Sequence, residues 1–130
     1  MDSKEETQKE QRAWRSVKYS QRFLNAFRGM YIVFKTTRHA LIHLGSALLA
    51  IAMGFYFNIS ALEWIAIVFA IGFVLVSEAF NTSIEIDIDL TSPEYHPFAR
   101  DTKDVAAAAV LLAVFVAIAI GLIVFLPKVF

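Results

Sequence analysis

Three apolar runs, each close to membrane-crossing length, fill most of a chain of only 130 residues. They cover about residues 40–57, 62–88 and 105–126, and about 20 residues suffice to cross a hydrocarbon core about 30 Å thick. A soluble domain this small has no core large enough to hide three such runs. Hydrophobic residues make up 58% of the sequence, above the share of an ordinary soluble domain. The pattern predicts an all-α integral membrane protein with three transmembrane helices in a single domain, residues 11–130. The first run is short for a span and contains His43. Asn58-Ile59-Ser60-Ala61 between the first two runs predicts a tight helical hairpin. The second connection, LTSPEYHPFARDT, carries Pro93 and Pro97. Ser92-Pro93 is expected to stop the preceding helix, with Asp101 or Thr102 capping the next.

Charge is segregated along the chain. Lys4, Lys9, Arg12, Arg15, Lys18, Arg22, Arg28, Lys35 and Arg38 precede the first span, and Arg100 and Lys103 flank the second connection. Of 12 Lys and Arg residues only Lys128 falls on the other side. This bias predicts a multi-pass protein of the cytoplasmic membrane with its N-terminus and the 90–104 loop inside the cell. The polar, basic stretch 1–38 does not read as a cleavable signal peptide, so the first apolar run is expected to persist in the mature protein. Residues 1–10 are expected to be a disordered tail. Trp14, Val17, Leu24, Phe27, Tyr31 and Phe34 recur at helical spacing with cations between them. A surface helix over 11–38 follows, its aromatic face in the lipid and its cations near anionic headgroups. A soluble amphipathic helix packed on the protein itself is the alternative. With no cysteine there is no thiolate nucleophile and no thiolate metal site.

The second run ends in polar residues with a period. Asn81, Glu85 and Asp89 follow Glu78 at offsets of 3, 7 and 11, which places all four on one helical stripe. A carboxylate in a membrane-length segment costs about 2.5–3.5 kcal/mol to insert at the helix centre. Asn81 alone would fit polar glue between helices. Two further acids on the same stripe do not, because clustered anions repel unless a cation joins them. Residues 62–89 would span about 42 Å as a helix, so the cytoplasmic end protrudes. Glu78 then lies about 24 Å from Leu62, at the edge of the hydrocarbon, and Glu85 and Asp89 lie among headgroups and water.

That gradient suits the transfer of a phosphoryl group from a soluble donor to a lipid alcohol. A dry Glu78 suits a general base that takes a proton from an alcohol. A wetter Glu85, with Asn81 a turn below, suits Mg²⁺, which prefers one or two carboxylates plus water and phosphate oxygens. Lys103 and Asp104 are expected to open the third helix beside this region. Lys103 would offset transferring phosphate charge, and the first N–H groups of that helix would point the same way. Ala106 to Ala109 follow, small enough for neighbouring helices to approach closely.

The string Glu78-x-x-Asn81-x-x-x-Glu85-x-x-x-Asp89, then SPEYHP at 92–97, then Lys103-Asp104 and an Ala-rich helix resembles the small prokaryotic diacylglycerol kinase and undecaprenol kinase family. The match covers roughly residues 20–127. The resemblance implies a homotrimer of three-span subunits with N-terminal surface helices and active sites built between subunits. It implies ATP as co-substrate and Mg²⁺ as cofactor, Glu78 as catalytic base and Glu85 as a magnesium ligand. It also implies that Asn81, Glu85, Asp89, Glu94, Tyr95, His96, Lys103 and Asp104 line the nucleotide site. Partners would be the lipid alcohol, ATP, the membrane and further copies of the chain, with no nucleic acid. Undecaprenol is the favoured acceptor, since the SPEYHP loop resembles that branch, and diacylglycerol is next. Two positions depart from the family pattern. A glutamate usual before the first span falls on Thr37, and a tyrosine usual in the surface helix falls on Asn25.

Several residues carry plainer readings. Glu63 and Trp64 read as an interfacial anchor at the outer end of the second span. His43 could be catalytic, but it reads more plainly as an interhelical hydrogen-bonding residue and is left out of the site, and His96 reads as either loop packing or a nucleotide contact. Two rival functions remain open. One is a catalytically impaired lipid- or nucleotide-binding relative, for which Thr37 is the main support. The other is a small cation or proton pathway, since aligned intramembrane acids also mark those. The gathering of the acids at one end argues against a pathway.

Overall fold

A computed structural model describes residues 2–130. Five helices follow one another, and among the described residues there is no strand. The chain divides into two units, Met1–Ile32 and Val33–Phe130.

The first unit holds α1 (Ser3–Arg15) and most of α2 (Tyr19–Thr36). Residues 3–10, expected as a disordered tail, belong to α1, and residue 1 lies outside the described residues. Helix formation there has a local cause. Glu5 and Glu6 occupy the first turn and Arg12 and Arg15 the last, each sign complementing the end of the helix dipole it sits on. Ser16 ends α1, its N–H and hydroxyl both donating to the Arg12 carbonyl at 3.0 and 2.8 Å. The helix expected over 11–38 is therefore divided. Trp14 stands on α1, and Leu24, Phe27 and Tyr31 stand on α2. Neither helix has a buried residue. Phe23 and Phe27, one turn apart on α2, meet edge to face with centroids at 5.3 Å.

The second unit is a hairpin of long helices: α3 (Arg38–Tyr56), α4 (Ala61–Thr91) and α5 (Pro97–Val129). All three are long and apolar enough to cross a membrane. At 1.5 Å per residue they measure about 28, 46 and 50 Å, so α4 and α5 outrun a hydrocarbon core of about 30 Å. Both α3 and α5 pack against α4. Small buried residues allow the approach: Ala40 and Ala47 on α3, Ala70 on α4, Ala106 and Ala113 on α5. Large apolar side chains such as Leu48, Phe69, Leu112 and Phe115 point outward and are exposed. This inversion of the soluble pattern is what a lipid-facing surface requires.

The turn between α3 and α4 falls where the sequence places it. Asn58 takes φ 50°, the left-handed region that asparagine tolerates. Ser60 then caps α4 in a reciprocal box with Glu63, accepting from the Glu63 N–H at 3.2 Å while the Glu63 carboxylate accepts from the Ser60 N–H at 2.7 Å. Glu63 also pairs with Lys128 near the end of α5 at 3.2 Å. Trp64 packs on Phe55 and against Gly54, where any side chain would strike the indole. Ile59, Ile67, Val124 and Phe125 form a core cluster at this end.

The connection after α4 differs from expectation at one point. Ser92 closes α4, as its proline neighbour predicts, but α5 begins at Pro97, eight residues before Val105. His96 is the cap, its Nδ1 accepting the Phe98 N–H at 3.2 Å, and Pro97 takes the first helical position, where no N–H is needed. Asp101 and Thr102 are thus inside the helix rather than caps. Lys103 and Asp104 lie in its second turn, so the free N–H groups at its start do not lie beside them.

Candidate active site

The α4 stripe forms as its period predicts. Taken at 100° per residue, Glu78, Asn81, Thr82, Glu85 and Asp89 share a sector of about 100°. Burial falls along it: Glu78 is 2% exposed, Asn81 7% and Thr82 3%, Glu85 is half-buried and Asp89 is exposed. The expected gradient from a dry acid to a wetter one is therefore present within one chain.

At the dry end, α3 brings His43 to the stripe. Its Nε2 lies 3.5 Å from Glu78 Oε2, while Glu78 Oε1 is buried with no hydrogen-bond partner. The sequence shows a histidine in an apolar span but not which of the acids, some 35 positions further along, it would meet. Thr82 is a residue the pattern did not single out. Its hydroxyl donates to the Glu78 carbonyl at 2.9 Å and touches the Thr37 hydroxyl at 3.3 Å. Thr37 stands at the N-cap of α3, and its hydroxyl also donates to the Val33 carbonyl at 3.1 Å. Position 37 therefore lies directly against α4.

One turn further out, Asn81 Nδ2 donates to Glu85 Oε1 at 3.3 Å, and Asn81 Oδ1 is buried and unpartnered. A buried acceptor without a donor costs about 1–3 kcal/mol. Two such oxygens, on Glu78 and Asn81, are left within the chain without a donor or cation to satisfy them. Among the described residues no three His, Asp or Glu side chains converge as a ready-made metal cage. The donors present are nonetheless all oxygen: the Glu85 carboxylate and the Asn81 carboxamide. Mg²⁺ is held by such partial sets, with water and substrate phosphates filling its octahedron. The residues fit that ion.

Beyond Glu85 the α5 side joins in. Lys103 Nζ pairs with the Asp89 carboxylate, and Arg100 lies 3.7 Å from Asp104 one turn along. Glu94, Tyr95 and His96 are exposed in the connection between α4 and α5. Ser92 holds this loop by donating to the Glu94 carbonyl at 3.1 Å.

An apolar groove of about 400 Å³ runs between α3, α4 and α5. Ala50, Ala70, Val74 and Gly121 line its length, and His43 and Ser46 bring polar atoms to its wall. Through His43 the groove adjoins Glu78.

A family model described as prokaryotic diacylglycerol kinase matches residues 24–125. The chain is 35% identical over 128 residues to the undecaprenol kinase of Bacillus subtilis (strain 168), covering 98% of this chain and 99% of that protein. It is 32% identical over 106 residues to a diacylglycerol kinase of Synechocystis sp., covering 81% of this chain and 61% of the relative. A diacylglycerol kinase of Helicobacter pylori (strain ATCC 700392 / 26695) is 38% identical over 66 residues, with 51% of this chain and 52% of the relative covered.

Proposed function

From the premise that the chain belongs to the prokaryotic diacylglycerol kinase family and is a membrane-embedded lipid kinase, we propose that it transfers the γ-phosphoryl group of ATP to undecaprenol, with Mg²⁺, at the cytoplasmic face of a bacterial inner membrane. The observation that carries this reading is Glu78. It is an almost fully buried carboxylate with one unpaired oxygen, one turn from a buried, unpaired carboxamide oxygen and two turns from a half-exposed acid.

Glu78 Oε1 takes the proton of the lipid hydroxyl. The alcohol oxygen bonds to the γ-phosphorus, and the bond from that phosphorus to the β,γ-bridging oxygen breaks to release ADP. Glu85 and Asn81 would hold Mg²⁺ on the triphosphate side, where the ion supplies charge neutralisation for the phosphates. Lys103, drawn from Asp89, meets the transferring phosphate charge. Asp89, Asp104 and the Glu94-Tyr95-His96 loop border the nucleotide. The apolar groove accepts the lipid chain, which leaves its hydroxyl end near Glu78.

Full-length similarity to an undecaprenol kinase supports the polyprenol as acceptor ahead of diacylglycerol. The basic bias of the N-terminal segment and the 90–104 loop supports the cytoplasmic placement. Exposed aromatic residues on α2 support its lying in the membrane interface as a surface helix. The outward apolar faces of α3–α5 support assembly as a homotrimer as well as lipid contact. The test is transfer of labelled γ-phosphate from ATP to undecaprenol and to diacylglycerol in mixed micelles, with wild type beside Glu78→Gln. Product with undecaprenol that falls to a small residual rate in Glu78→Gln is the expected result. Absence of product with either lipid would overturn the reading.

A further inference from the structure

We infer that His43 is the positioning residue of Glu78: it donates from Nε2 to Oε2 and so leaves Oε1 as the oxygen presented to the acceptor hydroxyl. The inference rests on the lipid-kinase reading above and adds to it a second helix as part of the catalytic geometry.

Glu78 is 2% exposed, so bulk water does not orient its carboxylate. His43 stands 3.5 Å from Oε2, while Oε1 has no partner. That asymmetry distinguishes the two oxygens before any substrate arrives. The 3.5 Å separation is long for a hydrogen bond, as expected of catalytic contacts that tighten when substrate binds. The backbone places His43 there for a reason. Ala40 and Ala47, three residues before and four after, are both buried, and α3 packs on α4. The three residues therefore share the stripe of α3 that faces its neighbour, and the two alanines bring the helices close enough for an imidazole to reach a carboxylate.

His43 also lies on the path of the acceptor. Its side chain is 17% exposed and lines the apolar groove. A lipid chain seated in that groove brings its hydroxyl past His43 to reach Oε1. The proton balance is simple: the hydroxyl proton goes to Oε1 of Glu78, and His43 keeps its own Nε2 proton throughout. His43 is thus a positioning residue that acts through Glu78. A plain interhelical polar contact would have the same static geometry, so the test must separate the two.

The experiment uses the full-length protein in mixed micelles with undecaprenol and labelled ATP, comparing His43→Leu and His43→Gln in wild-type and Glu78→Gln backgrounds. Glutamine keeps an N–H donor at similar reach, and leucine suits an apolar helix, so both variants are expected to fold. A misplaced catalytic group costs on the order of 100-fold. His43→Leu should lower kcat by about tenfold to 100-fold, with the KM for ATP within about twofold of wild type. His43→Gln should restore most of kcat. In the Glu78→Gln background His43→Leu should cost nothing more, because the two residues act as one unit. Equal losses in the Gln and Leu variants, an unchanged kcat in His43→Leu, or the same fractional loss on top of Glu78→Gln would each overturn the inference. If wild type phosphorylates no lipid alcohol, the kinase reading fails and this inference fails with it. If wild type is active and His43→Leu is equally active, this inference alone fails.

Discussion

Asn81 donates its Nδ2–H to Glu85 Oε1 across one turn of α4 at 3.3 Å, and its own Oδ1 stays buried without a partner. One carboxamide therefore does two things. It donates to the half-exposed acid, and it keeps a neutral oxygen that no protein donor occupies. A carboxylate at 81 would repel Glu85, and an apolar residue would leave Glu85 free to turn toward water. A carboxamide avoids both, which would suit the proposed Mg²⁺ at Glu85.

Asn81→Leu is accordingly expected to raise the Mg²⁺ concentration that half-saturates phosphoryl transfer by about 10–100-fold, the usual cost of losing a group that orients a metal ligand. A Mg²⁺ titration of initial rates at fixed ATP and lipid reads this directly. An unchanged titration curve would remove Asn81 from the metal site.

Lys103 and Asp89 form the pair that joins α5 to the wet end of the stripe. Asp89 is exposed and Lys103 half-buried, so the pair contributes little to stability by itself. In the proposed reaction the pair serves as a reservoir, holding the ammonium beside the place where the triphosphate would arrive. Lys103→Met is expected to lower kcat/KM for ATP by about 100-fold, the scale of a lost charge-stabilising donor. Asp89→Asn should change it by less than about tenfold. Steady-state kinetics on both variants would show whether the lysine outweighs its partner, and equal effects would refute the ordering.

Periodicity made the stripe legible, because Glu78, Asn81, Glu85 and Asp89 fall on one face of any regular helix. Run length gave the three spans, since apolar runs of this length have few other fates. Where α5 starts was not legible from apolarity, because Pro97 to Asp104 is polar. The signals there were local, a proline at the first helical position and a histidine before it. The first two turns of α1 were missed for a similar reason, since the support of residues 3–10 is charge placement on a polar segment. For His43 an interhelical polar partner was legible, but not that the partner is Glu78. That pairing depends on how far along α4 the α3 helix lies, and only the hairpin geometry at Asn58 and the close packing of small residues set that register.

The packing has its own test. Ala113 is fully buried in α5, which runs along α4. Ala113→Leu forces a bulky side chain between the helices and is expected to cost about 1–3 kcal/mol. Leu111, two residues earlier, is 53% exposed, and Leu111→Ala should stay within about 0.5 kcal/mol. Unfolding in mixed micelles measures both. A larger loss from Leu111→Ala would mean that the outward face is buried against another subunit rather than lipid.

Thr37 gives the last prediction. Its hydroxyl touches Thr82, which shares the sector of α4 that carries Glu78 and Glu85. A glutamate at 37 would extend a carboxylate along that contact into a region already holding two acids. Without a cation the added charge raises the cost of the others, so Thr37→Glu is expected to unfold at lower temperature than wild type in chelator. With Mg²⁺ the clustered carboxylates are joined. Binding to the folded state alone then stabilises by about 2.7 kcal/mol at 100 times the Kd. Thr37→Glu should therefore regain stability with Mg²⁺ more steeply than wild type, and it should need less Mg²⁺ for half-maximal transfer. Thr37→Gln is the control: it matches the shape, lacks the charge, and should show neither effect. Mg²⁺-independent unfolding of Thr37→Glu would show that position 37 does not reach the metal, and that its contact with Thr82 serves only to hold α3 against α4.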